Sequence, residues 1–176
     1  MNYENFNPRA FLLAQARELL TQAANAAMAD GSLPQAELPA FITEIPADRK
    51  NGDVASNMAM AGARAWHKAP KMIAEAILAH LPSLQGTCWD RAEVAGPGFI
   101  NLYTGADWLS TVVLAAATNP EYGRTNYGSG QKYNVEFVSA NPTGPMHMGN
   151  ARGGALGDCL AAVLDWAGYQ VTREFY

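Results

Sequence analysis

The sequence predicts a small α+β domain followed by the opening βαβ unit of an α/β domain. Up to residue 118, segments with helical spacing mix with short strands and show no regular alternation, which is typical of α+β domains. After residue 132, strand, loop, helix and strand follow in the order of a parallel βαβ unit. The three elements are expected at 133–138, 148–167 and 169–176. Residues 119–132 lack periodicity and contain three glycines, which predicts a linker.

Helix caps and turn residues define the elements of the first domain. Asn7-Pro8 is typical of a helix start, and Gly31 of the helix end that follows. The Gly96-Pro97-Gly98 sequence predicts a turn between two strands. The other predicted elements are a strand at 41–45, a helix capped by Asp53, a helix begun by Pro70, strands at 93–94 and 99–103, and a helix capped by Asp107.

The composition excludes several classes of protein. Of 176 residues, 49% are hydrophobic and 16% are charged, which excludes intrinsic disorder. The net charge is −4, so the chain as a whole has no positive field that would attract nucleic acid. The two cysteines show no CxxC spacing, and no apolar run is long enough to cross a membrane. We therefore expect a cytoplasmic protein with no membrane partner and no protein-bound metal.

Basic residues concentrate in one segment of the first domain. The segment from Arg49 to Lys71 contains one acidic residue, Asp53, and has a net charge of +4, whereas the whole chain has a net charge of −4. Its basic residues are Arg49, Lys50, Arg64, Lys68 and Lys71. Such a cluster is either a solvated helix face or a local patch that contacts phosphate groups, and the sequence leaves both interpretations open.

The most informative segment is SANPTGPMHMGNAR, residues 139–152, between the predicted strand and helix. In open parallel sheets, ligands bind beyond the carboxyl ends of the strands, where the N–H groups of a helix start favour anions. His147 stands at this helix start, placed either to donate to a phosphate or only to cap the helix. Asn150 is placed to hydrogen-bond the same ligand, and Gly149 leaves room for a flat ring. The dinucleotide and P-loop glycine motifs are both missing from this segment.

These residues resemble a known family. NPTGPMHMGN is similar to the His-Ile-Gly-His signature of class I aminoacyl-tRNA synthetases, in the form used by arginyl-tRNA synthetases. The flanking VEFVSANP, ARGGALGDCLAAVLDWAGY and VTREFY segments resemble that family too. EIPADRKNGDVASNMAM and AEVAGPGFINLY resemble its N-terminal additional domain. The resemblance implies an additional domain at 1–118, a linker at 119–132 and the truncated start of a Rossmann-like catalytic domain at 133–176.

The resemblance implies an arginine–tRNA ligase, which forms arginyl-adenylate from arginine and ATP and transfers arginine to the 3′ end of its tRNA. It assigns His147 and Asn150 to catalysis, as donors to the ATP phosphates. It assigns ATP contacts to Pro142, Gly144, His147, Gly149 and Asn150, and arginine contacts to Glu136, Ser139 and Asn141. Mg²⁺ is expected to accompany ATP. Asn150 stands where the family commonly has His, so it keeps a donor but cannot become a cation.

In the family, the additional domain contacts the tRNA D-loop, and two residues match positions with this role, while the basic cluster would supply the phosphate contacts. Phe99 would stack on a D-loop base and Asn101 would hydrogen-bond it, while Arg49 and Lys50 would contact phosphates. Strand alternation places Phe99 and Asn101 on one face, which predicts that this face is exposed. The alternative is that Phe99 belongs to the core.

Two hypotheses of different classes remain from the sequence. The chain is the N-terminal part of the ligase and is inactive alone, or it is a stand-alone tRNA-binding module without catalysis. A third, lower-ranked possibility is another class I nucleotidyltransferase that shares the His-x-Gly corner. The expected partners are arginine tRNA, L-arginine and ATP, and we expect the full-length protein to be monomeric.

Overall fold

The computed structural model describes residues 6–175, and helices and sheets are mixed along the chain, as the sequence predicts. The chain divides into two compact units, one formed by residues 7–118 and one that begins at residue 119. None of the helices among the described residues is long and apolar enough to span a lipid bilayer.

The first unit is a four-stranded antiparallel sheet with helices packed on it. Its strands lie in the order β1-β2-β4-β3. The elements are α1 (Pro8–Ala29), β1 (Thr43–Glu44), a 3₁₀ helix (Arg49–Asn51), β2 (Val54–Ser56), α2 (Met58–Ala61), α3 (Pro70–Ala79), β3 (Trp89–Ala95), β4 (Phe99–Thr104) and α4 (Ala106–Thr118).

The helix α1 begins as its sequence predicts. The Asn7 side chain accepts a hydrogen bond from the Ala10 N–H at 3.0 Å, and Pro8 occupies the first helical position, where its missing N–H costs nothing. The apolar face of α1 packs into the core together with α3 and one face of the sheet. Fully buried side chains of this core include Leu20, Trp66, Ile73, Ile77, Ile100 and Leu102.

Asp53 does not cap a helix, so that prediction is wrong. Its carboxylate accepts hydrogen bonds from the N–H and the hydroxyl of Thr104, at 2.8 and 2.9 Å. Asp53 thereby ties the chain before β2 to the end of β4, and its own N–H donates to the Leu102 carbonyl. The next helix, α2, begins only at Met58.

A histidine–carboxylate pair joins the ends of α1 and α3. His80 Nε2 lies 2.6 Å from Asp30 Oδ2, and His80 Nδ1 lies 2.7 Å from the Ala76 carbonyl oxygen. Because both ring nitrogens face oxygen acceptors, the protonated ring is favoured, and the bond to Ala76 followed by that to Asp30 raises the pKa of His80. Hydrogen bonds from the Ser32 backbone and from His80 lower the pKa of Asp30 to about 2.

Between residues 119 and 175, the second unit contains one helix and two parallel strands. The strand β5 (Lys132–Glu136) pairs in parallel with β6 (Gln170–Glu174), and α5 (Met148–Trp166) connects them. The register runs from Lys132 opposite Gln170 to Glu136 opposite Glu174. A connection of this kind places the start of the helix beyond the carboxyl end of the first strand.

The segment predicted as a linker is hydrogen-bonded to the end of α5. The N–H groups of Thr125, Gly128 and Gly130 donate to three consecutive carbonyls, those of Trp166, Ala167 and Gly168, at 2.8–2.9 Å. The Arg124 guanidinium pairs with Asp165 at 3.1 Å. Because the C-terminal carbonyls of a helix need partners, this segment serves as the cap of α5 and is part of the second unit.

Candidate functional site

The corner between β5 and α5 holds an unusual backbone. Val138 has φ +69° and Ser139 has φ +37°, which lie in the left-handed region that non-glycine residues, and β-branched ones above all, rarely adopt. The turn brings the Ser139 hydroxyl to Glu136, where it donates to Oε1 at 2.5 Å. Strain of this kind clusters at ligand sites, so the corner is the first candidate site of the second unit.

His147 begins α5 through a reciprocal pair of hydrogen bonds. Its Nδ1 accepts from the Gly149 N–H at 3.0 Å, and its own N–H donates to Asn150 Oδ1, also at 3.0 Å. Because Nδ1 acts as an acceptor, the neutral ring carries its proton on Nε2. The Asn150 amide likewise keeps its Nδ2 donors free of partners among the described residues.

The two remaining donors lie where a helix attracts anions. His147 Nε2–H and the Asn150 amide stand at the first turn of α5, whose N–H groups and dipole favour negative charge. Both residues are suited to hold a phosphate group.

Gly149 is required for the position of the His147 ring. A Cβ atom at residue 149 would lie 2.8 Å from Cε1 and 2.9 Å from Nδ1 of that ring. The space above this glycine, where the sequence predicts a flat ligand ring, is therefore occupied by the side chain of His147.

A polar cavity of about 340 Å³ opens at the same corner. Of the predicted site residues, Ser139, Asn141, Gly144, His147 and Asn150 line it. Pro142 and Gly149 lie in the same segment but not in the cavity wall, and Glu136 connects to the wall through its bond to Ser139. The loop thus brings most of the predicted ATP and arginine residues together.

A larger cavity, of about 710 Å³, adjoins the first one at His147 and Asn150. Its other walls are mainly apolar and include Val138, Met148 and Phe175. The two donors therefore stand between a polar and an apolar compartment, an arrangement that suits a ligand with a charged part and a flat apolar part.

The second candidate site is the outer face of the sheet in the first unit. Asn101 stands opposite Ala55 in β2 and opposite Glu93 in β3. Phe99 lies two residues earlier in β4 and therefore on the same face of the sheet. Phe99 is 36% exposed, but Asn101 is only 4% exposed, so the prediction that both are exposed is wrong for Asn101. Asn101 lies in the middle of β4, which is an interior strand paired with β2 on one side and with β3 on the other.

The amide of Asn101 nevertheless remains available for hydrogen bonding. It makes no hydrogen bond to another described residue, and no polar side-chain atom within residues 6–175 is both fully enclosed and unpaired. The amide therefore retains contact with solvent.

The turn before β4 holds Phe99 in place. Gly98 has φ +134°, and a Cβ atom there would lie 2.8 Å from Pro70 Cβ and 3.0 Å from the Pro70 carbonyl oxygen. Only glycine fits this close approach. The turn thus packs on the first residue of α3, which also brings the exposed Lys71 to this end of the sheet.

The predicted basic cluster does not form one patch around Phe99. The Lys50 carbonyl accepts a hydrogen bond from the Tyr103 hydroxyl at 3.1 Å. Since Tyr103 stands four residues beyond Phe99 in β4, about 13 Å along the strand, Arg49 and Lys50 lie at the other end of the sheet. Lys68 is engaged within the fold, because its Nζ donates to the Ser32 carbonyl at 2.6 Å.

Sequence reasoning missed a small cavity beside Phe99. Its volume is about 220 Å³, and its lining includes Glu44, Ala55 and Asn57. Glu44 and Ala55 come from β1 and β2, and Asn57 directly follows β2. All three are far from Phe99 in the sequence, and the register between the strands brings them beside it.

Comparison with known proteins identifies the family of the chain. Residues 14–104 match the family described as the arginyl tRNA synthetase N terminal domain, more than half of the chain, and the chain therefore belongs to that family. The resemblance inferred from the motifs is thereby confirmed.

Individual relatives extend the match to most of the chain. The chain is 49% identical over 163 residues to the arginine–tRNA ligase of Acetivibrio thermocellus, which covers 92% of this chain and 29% of that protein. It is 51% identical over 159 residues to the arginine–tRNA ligase of Moorella thermoacetica, covering 89% and 28%. The arginyl-tRNA synthetase structure from Plasmodium falciparum aligns with a TM-score of 0.49 and 19% identity, over 90% of this chain and 30% of that one. The chain thus spans less than a third of the length of these relatives.

The role assigned to Gly149 is tested by comparing two glycines of α5. Alanine in place of an exposed helix-interior glycine stabilises by about 1 kcal/mol. Gly153→Ala should gain this amount, because no atom lies within 4 Å of the added Cβ. Gly149→Ala should gain nothing, because displacing the His147 ring removes a cap of about 1 kcal/mol. The measurement is the free energy of unfolding in denaturant, and equal gains in the two variants would contradict the assignment.

Proposed function

We propose that this chain is the N-terminal part of an arginine–tRNA ligase whose full-length form activates arginine with ATP and transfers it to the 3′ end of arginine tRNA. The observation that carries the proposal is the pair of free donors, on His147 and Asn150, at the start of α5. The names of relatives at 49% and 51% identity support it. In this proposal, β5, α5 and β6 form the first βαβ unit of a Rossmann-like catalytic domain.

The first chemical step is transfer of the adenylyl group. The arginine carboxylate attacks the α-phosphorus of ATP, a carboxyl oxygen–phosphorus bond forms, the bond to the β-phosphate breaks, and pyrophosphate leaves. Negative charge on the phosphate oxygens is stabilised by His147 Nε2–H, by the Asn150 amide and by the N-terminus of α5. No protein nucleophile is required, so catalysis consists of positioning and electrostatic stabilisation.

Asn150 changes the strength of one of these contacts. An amide is a neutral donor, and hydrogen bonds from ionised donors are about twice as strong as neutral ones. The reciprocal bond to the His147 backbone uses the amide oxygen, which directs the Nδ2 donors away from the cap. Asn150 thus combines capping, through its amide oxygen, with phosphate binding, through its Nδ2 donors.

Magnesium would accompany ATP and neutralise part of the phosphate charge. Within residues 6–175, no three His, Cys, Asp or Glu side chains converge on one point. The Mg²⁺ ion of the proposal would therefore be held mainly by phosphate oxygens and water, which is how Mg²⁺ commonly binds with nucleotides.

The arginine substrate requires acceptors for its positive groups. Glu136 supplies a carboxylate at the end of β5, and the bond from Ser139 orients it toward the strained corner. Asn141 lines the polar cavity of the same corner and adds an amide. We propose that these three residues bind arginine beside the phosphate-binding start of α5.

The first unit would bind the tRNA. Phe99 offers a partly exposed ring for stacking on an unpaired D-loop base, and the Asn101 amide offers a hydrogen bond beside it. Lys71 follows Pro70, on which the turn before Phe99 packs, and Arg49 and Lys50 would contact phosphates farther along the RNA.

We further propose a cytoplasmic location and a monomeric full-length protein.

A second candidate describes the 176-residue chain by itself. Among residues 119–175 the sheet has two strands, and α5 leaves Leu156 and Val163 72% and 65% exposed. Such a unit contains the proposed nucleotide-binding loop between β5 and α5, but it lacks the additional elements that would enclose an active site and exclude water. In this state the chain would bind tRNA without forming adenylate.

The catalytic role of His147 is measurable by arginine-dependent exchange of pyrophosphate into ATP in the full-length enzyme. Removal of one donor to a developing oxyanion commonly lowers kcat by about 100-fold or more, so His147→Ala should cause a loss of that size. His67→Ala, which changes an exposed histidine of the first unit, should leave the rate unchanged. Exchange near the wild-type rate in His147→Ala would exclude the proposed role.

The RNA-binding role of Phe99 is measurable by filter binding of arginine tRNA to the 176-residue chain at fixed salt. Stacking on an aromatic side chain contributes about 1–3 kcal/mol, so Phe99→Ala should weaken the affinity about tenfold. Tyr127→Ala removes an 83% exposed aromatic ring from the second unit and should have no effect. Unchanged affinity in both Phe99→Ala and Asn101→Ala would refute the D-loop assignment.

A further inference from the structure

Two glycines of α5 face the end of β5. Gly154 and Gly157 are three residues apart, so they lie on the same side of the helix. A Cβ atom at residue 157 would collide with the side chain of Phe137, and one at residue 154 would lie 3.1 Å from Val138 Cγ2. Gly157 is buried and Gly154 is half-buried. Two consecutive residues, Phe137 and Val138, therefore both pack on α5, each at a glycine.

A regular strand would not allow both side chains to reach the helix. Phe137 continues β5, because its N–H donates to the Glu174 carbonyl at 3.1 Å. Side chains alternate along a strand, so in an extended chain Val138 would point away from α5. Val138 instead has φ +69°, and this left-handed turn brings its side chain back to the helix. Since β-branched residues rarely adopt such a conformation, the surrounding contacts must hold it, and Gly154 leaves the space for that contact.

The same turn brings Ser139 back to Glu136. In an extended chain the two Cα atoms would be three residues, or about 10 Å, apart, which is too far for their side chains to form a short hydrogen bond. In the structure, the Ser139 hydroxyl lies 2.5 Å from Glu136 Oε1. The direction of the Glu136 carboxylate therefore depends on the turn that begins at Val138.

We propose that Gly154 is a positioning residue for the arginine substrate. Because it has no side chain, it gives Val138 its place on α5, and this contact holds the left-handed turn through which Ser139 orients Glu136. The inference rests on the proposed function, namely that Glu136 binds arginine.

A methyl group at residue 154 would act in one of two ways. It would displace Val138, as the inference requires, or it would obstruct the larger cavity, which Gly154 also lines together with His147 and Asn150. The first effect weakens the binding of arginine, whereas the second weakens the binding of ATP, since the two donors are those assigned to its phosphates.

The experiment is arginine-dependent exchange of pyrophosphate into ATP by the full-length enzyme, with KM measured separately for each substrate. Gly154→Ala should raise KM for arginine at least about threefold, the size of effect expected when one hydrogen-bonded contact is disturbed, and should leave KM for ATP unchanged. Gly153→Ala is the matched control, because no atom lies within 4 Å of its added Cβ, and it should change neither KM. Alanine is a better helix former than glycine, so both variants retain α5.

A compensating substitution tests whether the effect passes through Val138. Val138→Gly removes the displaced Cγ2 atom and lets residue 138 adopt its positive φ without strain. Added to Gly154→Ala, it should bring KM for arginine back toward the wild-type value, whereas a methyl group that obstructs a ligand directly would keep its effect. The inference is overturned if Gly154→Ala leaves KM for arginine unchanged, if it raises KM for ATP instead, or if Val138→Gly brings no recovery.

Glu136→Ala separates failure of the inference from failure of the proposed function. If this variant raises KM for arginine but Gly154→Ala does not, only the role of Gly154 is lost. If Glu136→Ala leaves KM for arginine unchanged, or if the wild-type enzyme shows no arginine-dependent exchange, the proposed arginine site itself fails and the inference fails with it.

Discussion

The hydrogen bond from the Gly149 N–H to His147 Nδ1 is the interaction on which the site of the second unit depends. It caps α5, it assigns the proton of the neutral ring to Nε2, and it requires that residue 149 have no side chain. The sequence presented capping and phosphate binding as alternatives for this histidine. In the structure one ring nitrogen performs the first role and leaves the other free for the second.

The site of the first unit depends on strand register in the same way. Ala55 is small and stands between Glu44 and Asn101, so the outer face of the sheet contains a depression where most sheets would present a continuous layer of side chains. The packing of Gly98 on Pro70 then fixes Phe99 at the rim. Both sites therefore use backbone geometry, secured by a glycine, to hold a small number of unsatisfied polar groups in place.

Local patterns predicted those features that local bonds determine. Asn7 and His147 begin helices as expected, because capping bonds span only two or three residues. Asp53 was assigned wrongly because its partner, Thr104, lies 51 residues away. The burial of Asn101 likewise depends on two strands that pair with β4, and their register cannot be derived from β4 alone. Shared orientation of Phe99 and Asn101 was predictable, since it follows from alternation within one strand.

The tautomer of His147 tests the central claim most directly. Long-range ¹H–¹⁵N correlation spectra of the 176-residue chain, recorded at a pH where the ring is neutral, distinguish protonated from unprotonated ring nitrogens. The geometry of the cap predicts a protonated Nε2 and an unprotonated Nδ1 for His147, with Nδ1 accepting the Gly149 N–H. A neutral ring protonated on Nδ1 would contradict the account, because that nitrogen could not then accept the capping bond, and Nε2 would have no proton to donate to a phosphate.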